Sequence, residues 1–196
     1  MIAGIVLAAG LSRRMGRAKL LLPLAGRPVI RLSVERVLAS GVAPVLVVTG
    51  VEHAALAEAV AGLPVELVGN PHPESGQSSS IRAGVAALPR AAEAVLIALG
   101  DQPYLPAPVI PALLGERERT RRSIVAPRYR DGRGNPVLFG RELFSELLEI
   151  TGDRGARAVV ERDERRVALV DFDFPMPGDL DTPEDYDGLQ ARGNTV

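Results

Sequence analysis

Four short apolar runs recur through the first half of the chain, at residues 2–8, 44–49, 65–68 and 94–99. Each pair is separated by a segment long enough for a helix. Runs that are apolar on both sides suit strands buried on both faces, and such strands occur in parallel sheets covered by helices. Between them, residues 28–40 place Val29, Leu32, Val34 and Val37 on one helical face and end at Gly41. Residues 52–61 and 78–88 read as two further helices, the latter opening on serines whose hydroxyls are expected to cap free N–H groups. The strand–helix alternation predicts a single-domain three-layer α/β/α sandwich with a mostly parallel, Rossmann-like sheet.

The second half is less regular. Helices are expected at residues 106–119, 141–148, 156–162 and 183–191, and strands at 123–126, 136–139 and 167–170. Thr182 followed by Pro183 marks the start of the last helix. Residues 1–192 are read as one domain and 193–196 as a flexible tail.

Bulk properties narrow the function. The net charge of −1 gives no global field for nucleic acid, and aromatics at 4% argue against base-stacking platforms. Cysteine is absent, which removes disulfides and thiolate chemistry and fits a cytoplasmic setting. No basic region precedes the apolar start, and no run reaches the roughly 20 residues a membrane helix needs. His53 and His72 are the only histidines, too few for a typical zinc site, and are expected at the surface.

In open parallel sheets ligands bind beyond the carboxyl ends of the strands. The first strand ends in Ala8-Ala9-Gly10, and Arg13, Arg14, Arg17 and Lys19 follow. Small residues let a ligand approach the backbone, and the cations suit a polyphosphate. The fourth strand ends in Gly100-Asp101-Gln102-Pro103. Asp101 is the first charge after a buried run and is either a helix cap or a ligand for a hard cation such as Mg²⁺. Asp179 and Asp181 precede the Thr182 cap, and one of them is a candidate to complete a metal shell with Asp101. Phosphate-loop, dinucleotide and serine-hydrolase templates are all broken.

Residues 7–16 (Leu-Ala-Ala-Gly-Leu-Ser-Arg-Arg-Met-Gly) with Lys19, then 100–103, Gly134-Asn135-Pro136-Val137 and residues 179–186, resemble in order the motifs of the nucleotidyltransferases that handle molybdenum cofactor. The resemblance covers nearly the whole chain and implies a nucleotide-diphospho-sugar transferase-like fold. Ala9 stands where the guanylyl branch usually has glycine, so the better match is the cytidylyltransferase branch. That branch uses CTP, Mg²⁺ and a molybdopterin-type acceptor. The resemblance implies that Leu7, Ala8, Ala9 and Gly10 hold the nucleotide and that Arg14 and Lys19 contact its phosphates. Asn70 and Ser80 are expected near base or ribose. Asp101 and Asp181 are expected to bind the metal, with Arg14, Lys19 and Asp101 acting in catalysis. Asn135, Pro136, Asp153 and Arg157 are expected on the acceptor side. A molybdoenzyme or its chaperone is the expected protein partner, with no nucleic acid and no membrane. The alternatives are a GTP-using enzyme, a cytidylyltransferase for another phosphorylated acceptor, and a non-catalytic cofactor carrier.

Overall fold

A computed structural model describes residues 1–10 and 15–193. The strands are β1 (Ile2–Ala8), β2 (Pro23–Leu24), β3 (Arg27–Pro28), β4 (Val45–Thr49), β5 (Val65–Gly69), β6 (Ala94–Leu99), β7 (Ile124–Tyr129), β8 (Gly132–Arg133), β9 (Val137–Gly140) and β10 (Val167–Asp171). The helices are α1 (Val29–Leu38), α2 (His53–Ala59), α3 (Gln77–Ala86), α4 (Val109–Thr120), α5 (Phe144–Glu149), α6 (Arg157–Arg162) and α7 (Pro183–Gly193). Strands β2 and β3 form a separate hairpin.

The main sheet has the order β5–β4–β1–β6–β9–β7–β10, with β8 added to β7. Pairing is parallel through β5, β4, β1 and β6, and again between β7 and β10. Strand β9 runs antiparallel to both β6 and β7. Alternate residues of each strand enter opposite layers. Val6, Val47 and Leu96 join a core covered by α1, α2, α4 and α7. Ile5, Leu46, Val48 and Ile97 join a second core covered by α3, α5 and α6. The three-layer architecture is therefore as expected.

Helix α1 shows how the core also serves the cleft. Ile30, Val34 and Val37 are buried at helical spacing. Ser33, on the same buried side, donates from Oγ to the Gly100 carbonyl at 2.8 Å and so pins the end of β6. The expected tail overlaps α7, which runs to Gly193, and its remainder lies outside the described residues. No helix among the described residues is long and apolar enough to cross a membrane.

Candidate active site

The parallel register brings separate segments to one sheet edge. Leu7 of β1 pairs with Leu99 of β6 and with Val48 of β4, so the loops after all three strands open side by side. Because β9 runs the other way, its beginning lies at this edge: Val137 pairs with Ile97 near the end of β6. That direction brings Asn135 to the same edge, where it shares a cleft wall with Leu99.

A cleft of two adjoining lobes occupies the edge. The smaller lobe, about 420 Å³, is lined by Leu7, Ala9, Gly10, Lys19, Ser80, Asp101, Asp153 and Asp181 among others. The larger, about 660 Å³, includes Asn135, Asp153, Arg154, Arg157 and Met176 over an apolar floor of Ile81, Ile97, Val137 and Phe139. Leu7, Gln77, Leu99 and Asp153 belong to both walls.

Three charged groups meet on the floor of the smaller lobe. Lys19 Nζ donates to Asp101 Oδ2 at 2.6 Å and to Asp181 Oδ1 at 2.8 Å. The Lys19 side chain is only 11% exposed, so the pairing is shielded from bulk water. Burial works against the ammonium, but the charge and hydrogen bond of Asp101 and the contact with Asp181 outweigh it. The Lys19 pKa is raised, and the group stays charged at neutral pH.

Asp181 is positioned from both sides. The Leu180 N–H donates to the Asp101 carbonyl at 3.1 Å, joining the two acidic loops. Thr182 then caps α7: its Oγ1 accepts from the Asp185 N–H at 3.2 Å, while Asp185 Oδ2 accepts from the N–H groups of Thr182 and Asp181. Asp179 turns to a different partner and accepts from Gln102 Nε2 at 2.7 Å. Asp181, rather than Asp179, therefore faces the Asp101–Lys19 pair.

The donor chemistry suits a hard cation. Two carboxylates converge on one positively charged atom. Among the described residues no group of three or more His, Cys, Asp or Glu side chains could hold a metal. Mg²⁺ is commonly held in just this way, by one or two carboxylates with substrate phosphates and water completing the shell.

Several expected residues sit elsewhere. Ser80 lines the lobe, but Asn70 is buried beneath it, donating to Ser79 Oγ at 2.8 Å and Ser80 Oγ at 3.0 Å. It braces α3 rather than lining either lobe. Ala8 lies in the core, and Pro136 is buried and lines neither lobe. Arg14 lies outside the described residues. The serines do not cap α3. Ser79 Oγ instead donates toward the His72 and Gly76 carbonyls, and the Ser78 N–H is taken by the Gly152 carbonyl at 3.2 Å. His53 and His72 are exposed, as expected.

Gln77 and Glu74 line the cleft without having been singled out in the sequence. The signal for them is Gly76, whose φ of +89° opens α3. A Cβ on Gly76 would stand 2.3 Å from Asp153 Oδ1, so the loop at residues 152–155 packs directly on this turn. On the far side Tyr129, Phe172 and Phe174 cluster with ring centroids 5.2–5.9 Å apart, Tyr129 stacked on Phe172 and Phe174 tilted against both. Tyr129 donates its hydroxyl to the Asn135 carbonyl at 2.6 Å, and burial pushes its phenol pKa up.

The family of the chain sets this mostly parallel α/β/α sheet, with its charged, two-lobed cleft at the carboxyl edge, in the nucleotidyltransferase class. The chain is a member of one family within it: it belongs to the MobA-like NTP transferase domain family, which matches residues 4–167. It is 32% identical to the purine catabolism protein PucB of Bacillus subtilis (strain 168) over 95% of this chain and 94% of that one. It is 34% identical to the molybdenum cofactor guanylyltransferase of Rhodobacter capsulatus, over 97% and 96% of the two chains. The crystal structure of an Rv0371c homologue from Mycobacterium sp. strain JC1 superposes with a TM-score of 0.87 at 28% identity, covering 99% of this chain and 97% of that one. Rv0371c from Mycobacterium tuberculosis H37Rv, solved as a complex with manganese, superposes with a TM-score of 0.81 at 28% identity over 97% of each chain.

Proposed function

We propose that this chain transfers CMP from CTP to the terminal phosphate of a molybdopterin-type cofactor, releasing pyrophosphate, with Mg²⁺ as the resident cation. The observation that carries this reading is the convergence of Lys19, Asp101 and Asp181 beside the Ala9–Gly10 loop. Residues 1–192 act as one catalytic domain working in the cytoplasm on small-molecule substrates, and the product passes to a molybdoenzyme or its chaperone.

The attacking phosphate is anionic at neutral pH, so the reaction needs no general base. Catalysis rests on positioning and on charge neutralisation. In this reading the backbone at Ala9 and Gly10 receives the triphosphate. Asp101 and Asp181 hold the divalent cation, which would supply Lewis-acid stabilisation of the phosphates. Lys19, with Arg14, offsets charge growing on the leaving pyrophosphate. The larger lobe takes the acceptor: its apolar floor suits a ring system, and Asn135, Asp153 and Arg157 offer polar contacts at its walls. Mn²⁺ in the Rv0371c structure supports the use of a divalent metal.

Ala9 favours cytosine, because its methyl narrows the lobe where glycine would leave room for a purine. The Rhodobacter relative's name supports GTP as the second reading. Retention of Lys19, Asp101 and Asp181 as one cluster favours chemistry over cofactor carriage. The decisive assay follows pyrophosphate release with CTP or GTP, Mg²⁺ and molybdopterin. CTP is expected to be consumed, and Asp101→Asn to slow turnover by about 10²–10³-fold without unfolding the chain. Preferred consumption of GTP would move the chain to the guanylyl branch. Cofactor binding with neither nucleotide consumed would make it a carrier.

A further inference from the structure

Lys19 is the only lysine among the 23 lysines and arginines of this chain. Arginine serves the surface pairs, such as Arg128 with Asp171 and Arg130 with Asp173. The single ammonium is instead held at the floor of the cleft, between carboxylates from two different loops. A guanidinium spreads its charge over a planar fork and meets carboxylates through separate nitrogens. An ammonium is a compact point charge. Two carboxylates converging on a point charge is also the arrangement they adopt around a small divalent ion.

We propose that Lys19 is an exchangeable cation: its Nζ stands between Asp101 and Asp181 in the nucleotide-free protein, where the divalent ion is held once nucleotide arrives. This rests on the nucleotidyltransferase reading above. The carboxylate oxygens cannot give the same lone pairs to both cations, and two positive charges side by side repel. Entry of the metal therefore expels the ammonium. The neighbouring residue Leu20 is buried in the core and anchors the backbone, while the four-carbon stem of Lys19 lets Nζ swing away. Nucleotide phosphates give the displaced ammonium a new partner and supply the ligands the metal lacks. Metal and nucleotide should then bind with positive coupling, and metal alone should bind weakly.

The test uses Mn²⁺ alone as the probe, with the full chain and no nucleotide, reading free Mn²⁺ by electron paramagnetic resonance. Lys19→Met is expected to bind Mn²⁺ about tenfold more tightly than the wild type, within the usual range for coupled sites. Equal or weaker binding overturns the proposal. A second measurement needs no variant. Lys19 carries the one ε-amine, so acylation by an amine-reactive ester can be followed at a single side chain by mass spectrometry, with the α-amino group as internal reference. Lys19 labelling is expected to accelerate as Mn²⁺ is added, and a rate independent of Mn²⁺ overturns the exchange. If both Mn²⁺ results hold while neither CTP nor GTP releases pyrophosphate, the functional reading fails and the exchange stands. If turnover is seen but Mn²⁺ binding ignores Lys19, the exchange alone falls.

Discussion

Two glycines, Gly10 lining the cleft and Gly100 buried at the end of β6, make a paired test, because the structure gives them opposite reasons to be glycine. Around Gly10, its chain neighbours aside, no atom of the described residues lies within 4 Å of the position a Cβ would take, and its backbone is outside the left-handed region. Alanine should therefore fit the ligand-free fold. Removing glycine's freedom from the unfolded chain typically stabilises by about 0.4–1 kcal/mol. For a chain of this size each kcal/mol moves Tm by about 2–4 °C, so Gly10→Ala should raise Tm by about 1–4 °C. The same methyl should obstruct the phosphates. At a ligand concentration 100 times Kd, the wild type should gain about 2.7 kcal/mol, or about 5–11 °C, from CTP with Mg²⁺. Gly10→Ala should lose most of that gain. Gly100 is the reverse case. A Cβ there would lie 2.8 Å from the Leu7 carbonyl oxygen and 2.9 Å from Ile30 Cδ1. Overpacking of this kind costs about 1–3 kcal/mol, so Gly100→Ala should lower Tm by about 2–12 °C before any ligand is added. Thermal denaturation of the three proteins with and without CTP·Mg²⁺ reads both effects. A full CTP shift in Gly10→Ala would refute close approach of the triphosphate to this loop. A lower ligand-free Tm in that variant would show that the fold itself demands the glycine.

Two further outcomes test the frame around the cleft. Thr182→Ala removes the side-chain cap of α7 and should cost about 1 kcal/mol, read as a Tm drop of about 2–4 °C. Glu146 links α5 to Arg166 and Arg162; the hydrogen bond from Arg166 and the positive charges of both arginines hold its carboxyl below the usual range, against a smaller effect of burial. A depressed carboxyl contributes stability above its unfolded pKa and loses it as pH falls through its folded pKa. Glu146→Gln should therefore lower stability by about 0.2–1 kcal/mol at pH 7, with the gap closing below the ordinary carboxylate range in denaturant titrations run across pH.

The parallel core was legible because strands buried on both faces leave an uninterrupted apolar run. Ala94–Leu99 matches its expected bounds, and Val45–Thr49 differs by one residue. Strand direction was not legible in the same way. Nothing local in Val137–Gly140 distinguishes antiparallel from parallel pairing, because the hydrogen-bonding partners belong to β6 and β7. The serine run misled for a related reason. Hydroxyls before a helix suggest caps, but the turn at Gly76 offers them carbonyls, and a carbonyl from a distant loop takes the Ser78 N–H. Asp153 and Gln77 became neighbours only through that packing.

Lys19 shows where sequence reasoning stops. Its basic character and its place after a glycine-ended strand pointed to phosphate, but its partners lie 82 and 162 residues away. Only the sheet register brings them together. Leu7 pairs with Leu99, which sets the Gly10 loop beside Asp101, and the Leu180 N–H to Asp101 carbonyl bond then draws Asp181 to the same place. A one-residue slip between β1 and β6 would reverse which layer each side chain enters. Both layers are buried, so the slip would misfit side-chain sizes in each, as at Gly4, where a Cβ would stand 3.2 Å from Val37 and Val42, and it would separate the charged groups in the same stroke. The packing that selects the register therefore also selects the geometry of the cleft. The site needs no rigid cage of its own, because the two cores hold its walls.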